Sequence, residues 1–91
     1  MTTLRLPAQL GAANISALYT ALAPLVHNRT AVVLEAADVS YLDSSALQLL
    51  AVFFRIRTHE GYRTEWNAPS ATLRDGAARA GLVPTLGLSG V

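Results

Sequence analysis

The sequence predicts an α/β domain: a small mixed, largely parallel central sheet with flanking helices. Three observations carry this. Strand-type and helix-type runs alternate at short intervals along 91 residues, as when parallel strands are joined by helical crossovers. One run, TAVVLEA at 30–36, is continuously apolar and β-branched, as expected of a strand buried on both faces. Capping residues, Asp43 and Ser70, stand just ahead of two helix-period segments.

The elements follow in order. TLRLP at 3–7 alternates Leu4 and Leu6 with Arg5 and ends in Pro7, which reads as a short edge-type strand. Segment 13–26 places Ile15, Leu18, Leu22 and Leu25 on one helical face, with Asn14 as its expected N-cap and Pro24 ending or kinking it. The 30–36 strand comes next. Asp43 is expected to cap a helix from about Ser44 to His59, which Gly61 stops in a left-handed conformation. YRTEW at 62–66 reads as a third strand. Ser70 caps a last helix through about Ala80, with Leu73, Ala77 and Ala80 inward and a Schellman stop at Gly81–Leu82. Gly76 costs that helix roughly 1 kcal/mol relative to Ala. The tail, VPTLGLSGV, has no clear element type. Chirality makes the crossovers right-handed.

Composition narrows the function classes. Hydrophobic residues make up 52% of the chain and charged residues 14%, enough for the core of a single domain over 1–91. The net charge of +1 offers no basic patch, which argues against nucleic acid. All seven basic residues are arginine, a compositional habit without functional weight. There is no cysteine, the N-terminus lacks a signal-peptide pattern, and no apolar run reaches the ~20 residues that span a bilayer. A cytoplasmic location without membrane insertion is the expectation. His27 and His59 lack ligand-like neighbours, so neither a metal nor any other cofactor is expected. An enzyme is not expected either. His59 is 14 positions from Ser45 on the same helix, roughly 21 Å at ~1.5 Å per residue, too far for a nucleophile and its base. No Gly-rich phosphate loop is present.

The helix after Asp43 is apolar on two sides. Leu47, Leu50, Ala51 and Phe54 form one face, suited to packing on the sheet. Gln48, Arg55 and His59 form a narrow polar stripe. Ala46, Leu49, Val52, Phe53 and Ile56 make a second apolar face, with Ser45 on it. Another helix of the chain covers that face, or it is exposed and marks a partner or self-association surface; a neighbouring helix covering part of it satisfies both. Ser45 would lie in the first helical turn, where a phosphate gains from free N–H groups but would disrupt an apolar interface. On the residues alone, capping by Asp43 and Ser44 is sufficient reason for that turn.

VSYLDSSALQLL at 39–50 resembles the signature of the STAS domain family, the anti-sigma factor antagonist fold. The downstream GYRTEWNAPSATLRDGAARAGL is similar to the family's next strand, turn and closing helix, and the resemblance covers about residues 2–88. It implies a regulatory protein-binding module. The phosphorylated residue would be Ser45, with Ser44 as the alternative, and Asp43 would shape the turn and aid recognition. The partner would be an ATP-using anti-sigma kinase. Two features depart from the pattern: Ala46 replaces the family's glycine, and GAAN at 11–14 lacks the usual acid, with the N-terminal hairpin shortened to one strand. Short STAS proteins also resemble those encoded with chemotaxis kinases and the STAS subunit of a phospholipid-transport ABC complex. There the partner is an ATPase subunit and phosphorylation need not be involved. A homodimer is a further candidate assembly.

Overall fold

The computed structural model describes residues 1–89. The last two residues of the tail, and so the C-terminal limit of the 1–91 domain, lie outside them. Five strands and three helices follow one another: β1 Thr2–Arg5, β2 Gln9–Leu10, α1 Ile15–Leu22, β3 Val32–Glu35, β4 Tyr41–Leu42, α2 Ser44–His59, β5 Thr64–Asn67 and α3 Ala71–Arg79. The main sheet has the order β1-β3-β5, with both pairings parallel. A second, two-stranded sheet pairs β2 with β4, also parallel. The architecture is therefore α/β with a largely parallel sheet and β3 at its centre.

In the main sheet Leu4, Leu34 and Trp66 lie in one row across the strands. This face carries the core: Val32, Leu34 and Ala36 are fully buried, and Phe54 of α2 stacks on Trp66 at 5.3 Å between ring centroids. The other face holds the Thr3–Val33–Glu65 and Arg5–Glu35–Asn67 rows. Thr3, Arg5, Glu65 and Asn67 are exposed, and Val33 and Glu35 are half-buried. The expected two-sided burial of 30–36 is thus corrected. The run is apolar because Val32 and Leu34 are internal, while Val33 rests on the open side.

Both glycine stops form. Gly61 has φ +80° and Gly81 φ +69°, and Tyr62 N donates to Arg57 O at 2.8 Å and Leu82 N to Ala77 O at 2.8 Å, the six-to-one bonds of Schellman ends. Ser70 Oγ accepts from Leu73 N at 3.2 Å. Ala80, expected inward, is exposed because it is the C-cap residue where the helix axis ends. Gly76 has a packing reason: a Cβ there would lie 2.9 Å from Leu42 Cδ2, so α3 seats closely on β4. Asn14 is the N-cap residue of α1, as expected, but it also ends a 3-10 turn, Ala12–Asn14, and its side chain makes no capping bond. Pro24 ends α1 within a second 3-10 turn, Ala23–Leu25. The third strand sits later than 62–66 because the Schellman stop occupies Tyr62. Residues 82–88 pack against the core: Leu82, Leu86 and Leu88 are buried, and Trp66 Nε1 donates to Leu86 O at 2.7 Å.

Arg57 is the one buried charged side chain among the described residues, with 0% exposure. It has no carboxylate partner. Its Nε donates to Thr64 Oγ1 (2.7 Å), one terminal nitrogen to the carbonyls of Leu25 (2.8 Å) and Asn28 (2.7 Å), and the other to those of Thr30 (3.1 Å) and Arg63 (2.7 Å). The guanidinium also lies 5.8 Å from the Phe53 ring centroid and 5.7 Å from that of Tyr62. Burial lowers its pKa from the ordinary value, and Glu60 and Tyr62 oppose that shift; an arginine stays charged through such changes. Removing the fork leaves several acceptors poorly satisfied, each costing about 1–3 kcal/mol if buried. Arg57→Met is expected to lower stability by at least ~3 kcal/mol in urea unfolding, and Arg57→Lys to recover only a minor part, because a single ammonium cannot reproduce the planar fork.

Candidate functional site

The site begins where β4 delivers Asp43. Asp43 N donates to Leu10 O at 3.1 Å, which ties it to β2. Its carboxylate then serves two segments. Oδ1 accepts from Ala46 N at 3.2 Å and caps α2, as its sequence position predicts. Oδ2 accepts from Ala12 N at 2.7 Å and so fixes the turn that leads into α1. This second bond has no local signal: its partners are 31 residues apart. Gly11 is tight here, since a Cβ would lie 2.8 Å from Cε2 of Tyr41. The exposed Tyr41 ring therefore lies over the Gly11 backbone, beside the turn.

Ser44 and Ser45 occupy the first two positions of α2 and both are exposed. Among the described residues, neither hydroxyl nor backbone N–H has a protein hydrogen-bond partner. The first turn thus presents unused donors beside two free hydroxyls, at the positive end of a 16-residue helix.

Two of the expected surface residues belong to the core. Ala46 has 0% exposure and Phe53 3%. Both lie on the stripe that continues to Arg57, and Phe53 packs edge-on against Phe54 at 6.2 Å between centroids. The buried face of α2 is broad because α1 packs beside it as well as the sheet. The remaining three form the visible stripe: Leu49 is half-buried, Val52 is 45% exposed and Ile56 36%. With Ser45 they follow spacings of four, three and four, a single line along the helix. Ser45 stands at its head, about 16 Å from Ile56 at ~1.5 Å per residue.

Leu49, Val52 and Ile56 form one wall of a groove of about 160 Å³. α1 and the turn after it supply the other wall through Tyr19, Leu22, Ala23 and Val26, with Phe53 lining its floor. Tyr19 is 62% exposed. The alternatives left open for the second apolar face are thus both realised: α1 covers Phe53, and Val52 and Ile56 remain open. His27 and His59 lie toward the other end of α2, where His27 Nδ1 contacts Glu60 Oε1.

Asp43→Ala removes the cap of α2, which costs about 1 kcal/mol when lost, and the bond from Ala12 N, a hydrogen bond to a charged group that contributes about as much or more. A stability loss of about 2 kcal/mol is expected by chemical denaturation. Asp43→Asn, which keeps an acceptor for one of the two amides, is expected to lose about half as much.

Among the described residues no helix is long and apolar enough to cross a membrane. No curated protein matches the chain. The family model described as Mlab, STAS domain matches residues 1–87 of the 91. The match covers both sheets, all three helices, the Asp43–Ser45 turn and the α1–α2 groove, and the chain belongs to the STAS domain family.

Proposed function

We propose that this STAS domain is a regulatory protein-binding module of anti-sigma-antagonist type, which holds a partner on the α1–α2 groove and releases it when Ser45 is phosphorylated. The observation that carries the reading is the position of Ser45 at the head of the line formed by half-buried Leu49 and exposed Val52 and Ile56. Recognition would use Tyr19, Leu49, Val52 and Ile56 as apolar anchors. Asp43 shapes the turn from which Ser45 is presented. The partner is an ATP-binding protein: a kinase of the anti-sigma type, in the cytoplasm.

A phosphate on Ser45 adds about −1.5 to −2 charges. In the free protein the unused Ser44 and Ser45 amides and the helix dipole favour it, and Asp43 opposes it. In the complex the same charge would be buried beside Leu49 against an apolar partner surface. Desolvating an unpaired ion costs several kcal/mol, which weakens binding by orders of magnitude at ~1.4 kcal/mol per tenfold. Ser44 lies off the apolar line, which makes it the weaker acceptor candidate.

A second reading takes the domain as a constitutive subunit clamped on the ATPase of a larger machine, of the phospholipid-transport type. The matched family's description, Mlab, STAS domain, favours it. Both readings use the same groove and differ only at Ser45.

The decisive experiment titrates variants against the ATPase or kinase that co-purifies from the native cells. Val52→Glu is expected to abolish binding with an unchanged circular dichroism spectrum. Ser45→Ala should bind like the native protein and Ser45→Glu at least tenfold more weakly. Equal affinities for Ser45→Ala and Ser45→Glu would remove the switch and leave the constitutive reading. Full affinity of Val52→Glu would remove the groove from both.

A further inference from the structure

A polar cavity lies at the carboxyl ends of the main sheet, apart from the α1–α2 groove. β1, β3 and β5 run parallel and end together, so Arg5, Glu35 and Asn67 stand in one row on the face opposite the core. With Ala37, Asp38 and Ala68 from the loops that follow, they line a cavity of about 260 Å³. Two features set it apart from an ordinary solvated face. Arg5 and Glu35 are register partners of opposite charge, yet they form no ion pair. Arg5 turns instead to Asp38 and gives both Nε (3.2 Å) and Nη2 (2.8 Å) to the single oxygen Oδ2. The half-buried Glu35 carboxylate is left without a partner among the described residues, as are Arg5 Nη1, Asp38 Oδ1 and the Asn67 carboxamide. The second feature is Ala68, the one non-glycine residue with a left-handed φ among the described residues, at +51°. A residue with a Cβ holds that conformation only where its surroundings impose it, and such residues cluster at ligand sites. Ala36 imposes it here from both sides, donating to Asn67 O and accepting from Ser70 N, each at 3.2 Å.

We propose that this cavity binds a small zwitterion whose ammonium and carboxylate share one carbon, the chemistry of a free α-amino acid. A crevice outside the carboxyl ends of parallel strands is a recurrent ligand position in α/β sheets. The unused groups define the ligand. Glu35 and the carboxamide oxygen of Asn67 are acceptors on neighbouring strands, suited to an ammonium. Arg5 Nη1 is a donor on the other side of Glu35, suited to a carboxylate, and Asp38 holds the guanidinium in place. Neighbouring strands lie about 4.8 Å apart, so the two groups sit at a spacing that one α-carbon can bridge. Arg5, Glu35 and Asp38 together carry one positive and two negative charges. A simple anion therefore meets net repulsion, and an amine without a carboxylate leaves Arg5 Nη1 unused. A metal ion is poorly served, since no group of three or more acidic, histidine or cysteine side chains forms among the described residues. The Arg5 and Asp38 side chains are 74% and 51% exposed, so part of their strength is lost to solvent and the binding is of the weak, millimolar class. The inference does not depend on the groove or on Ser45.

The test is an amide NMR chemical-shift titration of the full chain with each standard amino acid in turn, and with methylamine and acetate as the two half-ligands. The expected result is saturable shifts of the Glu35, Ala37, Asn67 and Ala68 amides with at least one amino acid. Methylamine and acetate should bind there at least tenfold more weakly. Glu35→Gln keeps the size of the side chain and removes its charge, and should weaken binding of that amino acid at least tenfold with an unchanged circular dichroism spectrum. Arg5→Gln should do the same. The proposal is overturned if no amino acid gives saturable shifts at those amides, or if methylamine or acetate binds as well as the amino acid. Unchanged affinity in Glu35→Gln also overturns it. If Glu35→Gln fails to fold, Arg5→Gln decides, because the Arg5 side chain is exposed and its loss leaves the core intact.

Discussion

A buried cation that makes no ion pair among the described residues organises this domain. Arg57 draws to itself the carbonyls of Leu25, Asn28, Thr30 and Arg63 and the hydroxyl of Thr64. These belong to the end of the α1 segment, the loop into β3 and the start of β5. A guanidinium is suited to this because its five donors lie in one plane and point to different chain segments at once. The partial charges of several carbonyls replace the carboxylate that a buried cation usually needs. Its position on α2 sets the rotation of that helix: with Arg57, Phe53 and Ala46 inward, the Leu49–Val52–Ile56 line must face out.

Asp43 does the corresponding work at the other end of the same helix. Its two oxygens hold Ala12 and Ala46, the approaches to the two helices that wall the groove. Arg57 ties the end of the α1 segment at Leu25 to the last turn of α2. The spacing of the walls is therefore fixed at both ends by polar contacts, while apolar packing fills the space between. A groove held in this way is formed before any ligand arrives, which limits the ordering cost of binding.

The readable parts of the fold were those with local causes. Asp43 and Ser70 cap because their side chains reach amides three residues on, and Gly61 and Gly81 stop helices because of their own φ. The segments that escaped have distant causes. β2 and β4 are two-residue strands that exist only as partners of each other. The turn before α1 has no acid of its own, and the carboxylate that accepts from its Ala12 amide comes from Asp43 across the fold. A helical wheel separates the sides of α2 but does not locate α1, so it grouped the buried Ala46 and Phe53 with the exposed Val52 and Ile56. Arg57 carried no signal, since an arginine in a helix reads as solvent-facing until the carbonyls around it are known. The tail lacks a repeating period because it is shaped to Trp66 and the core beneath it. That Ser45 shares a helix side with Leu49, Val52 and Ile56 was legible on the wheel, and which members of that side stay open became visible only once α1 was placed.

The one-sided cover of the main sheet has an evolutionary consequence. Strand positions divide into two classes by parity. Substitutions at Leu4, Val32, Leu34 or Trp66 reach the core and, through it, the seating of α2. Those at Thr3, Val33, Glu65 or Asn67 change the face turned away from that core. A lineage carrying this domain can thus explore half of its strand positions with little effect on the groove, and adapt its outer face to new neighbours while the groove keeps its shape.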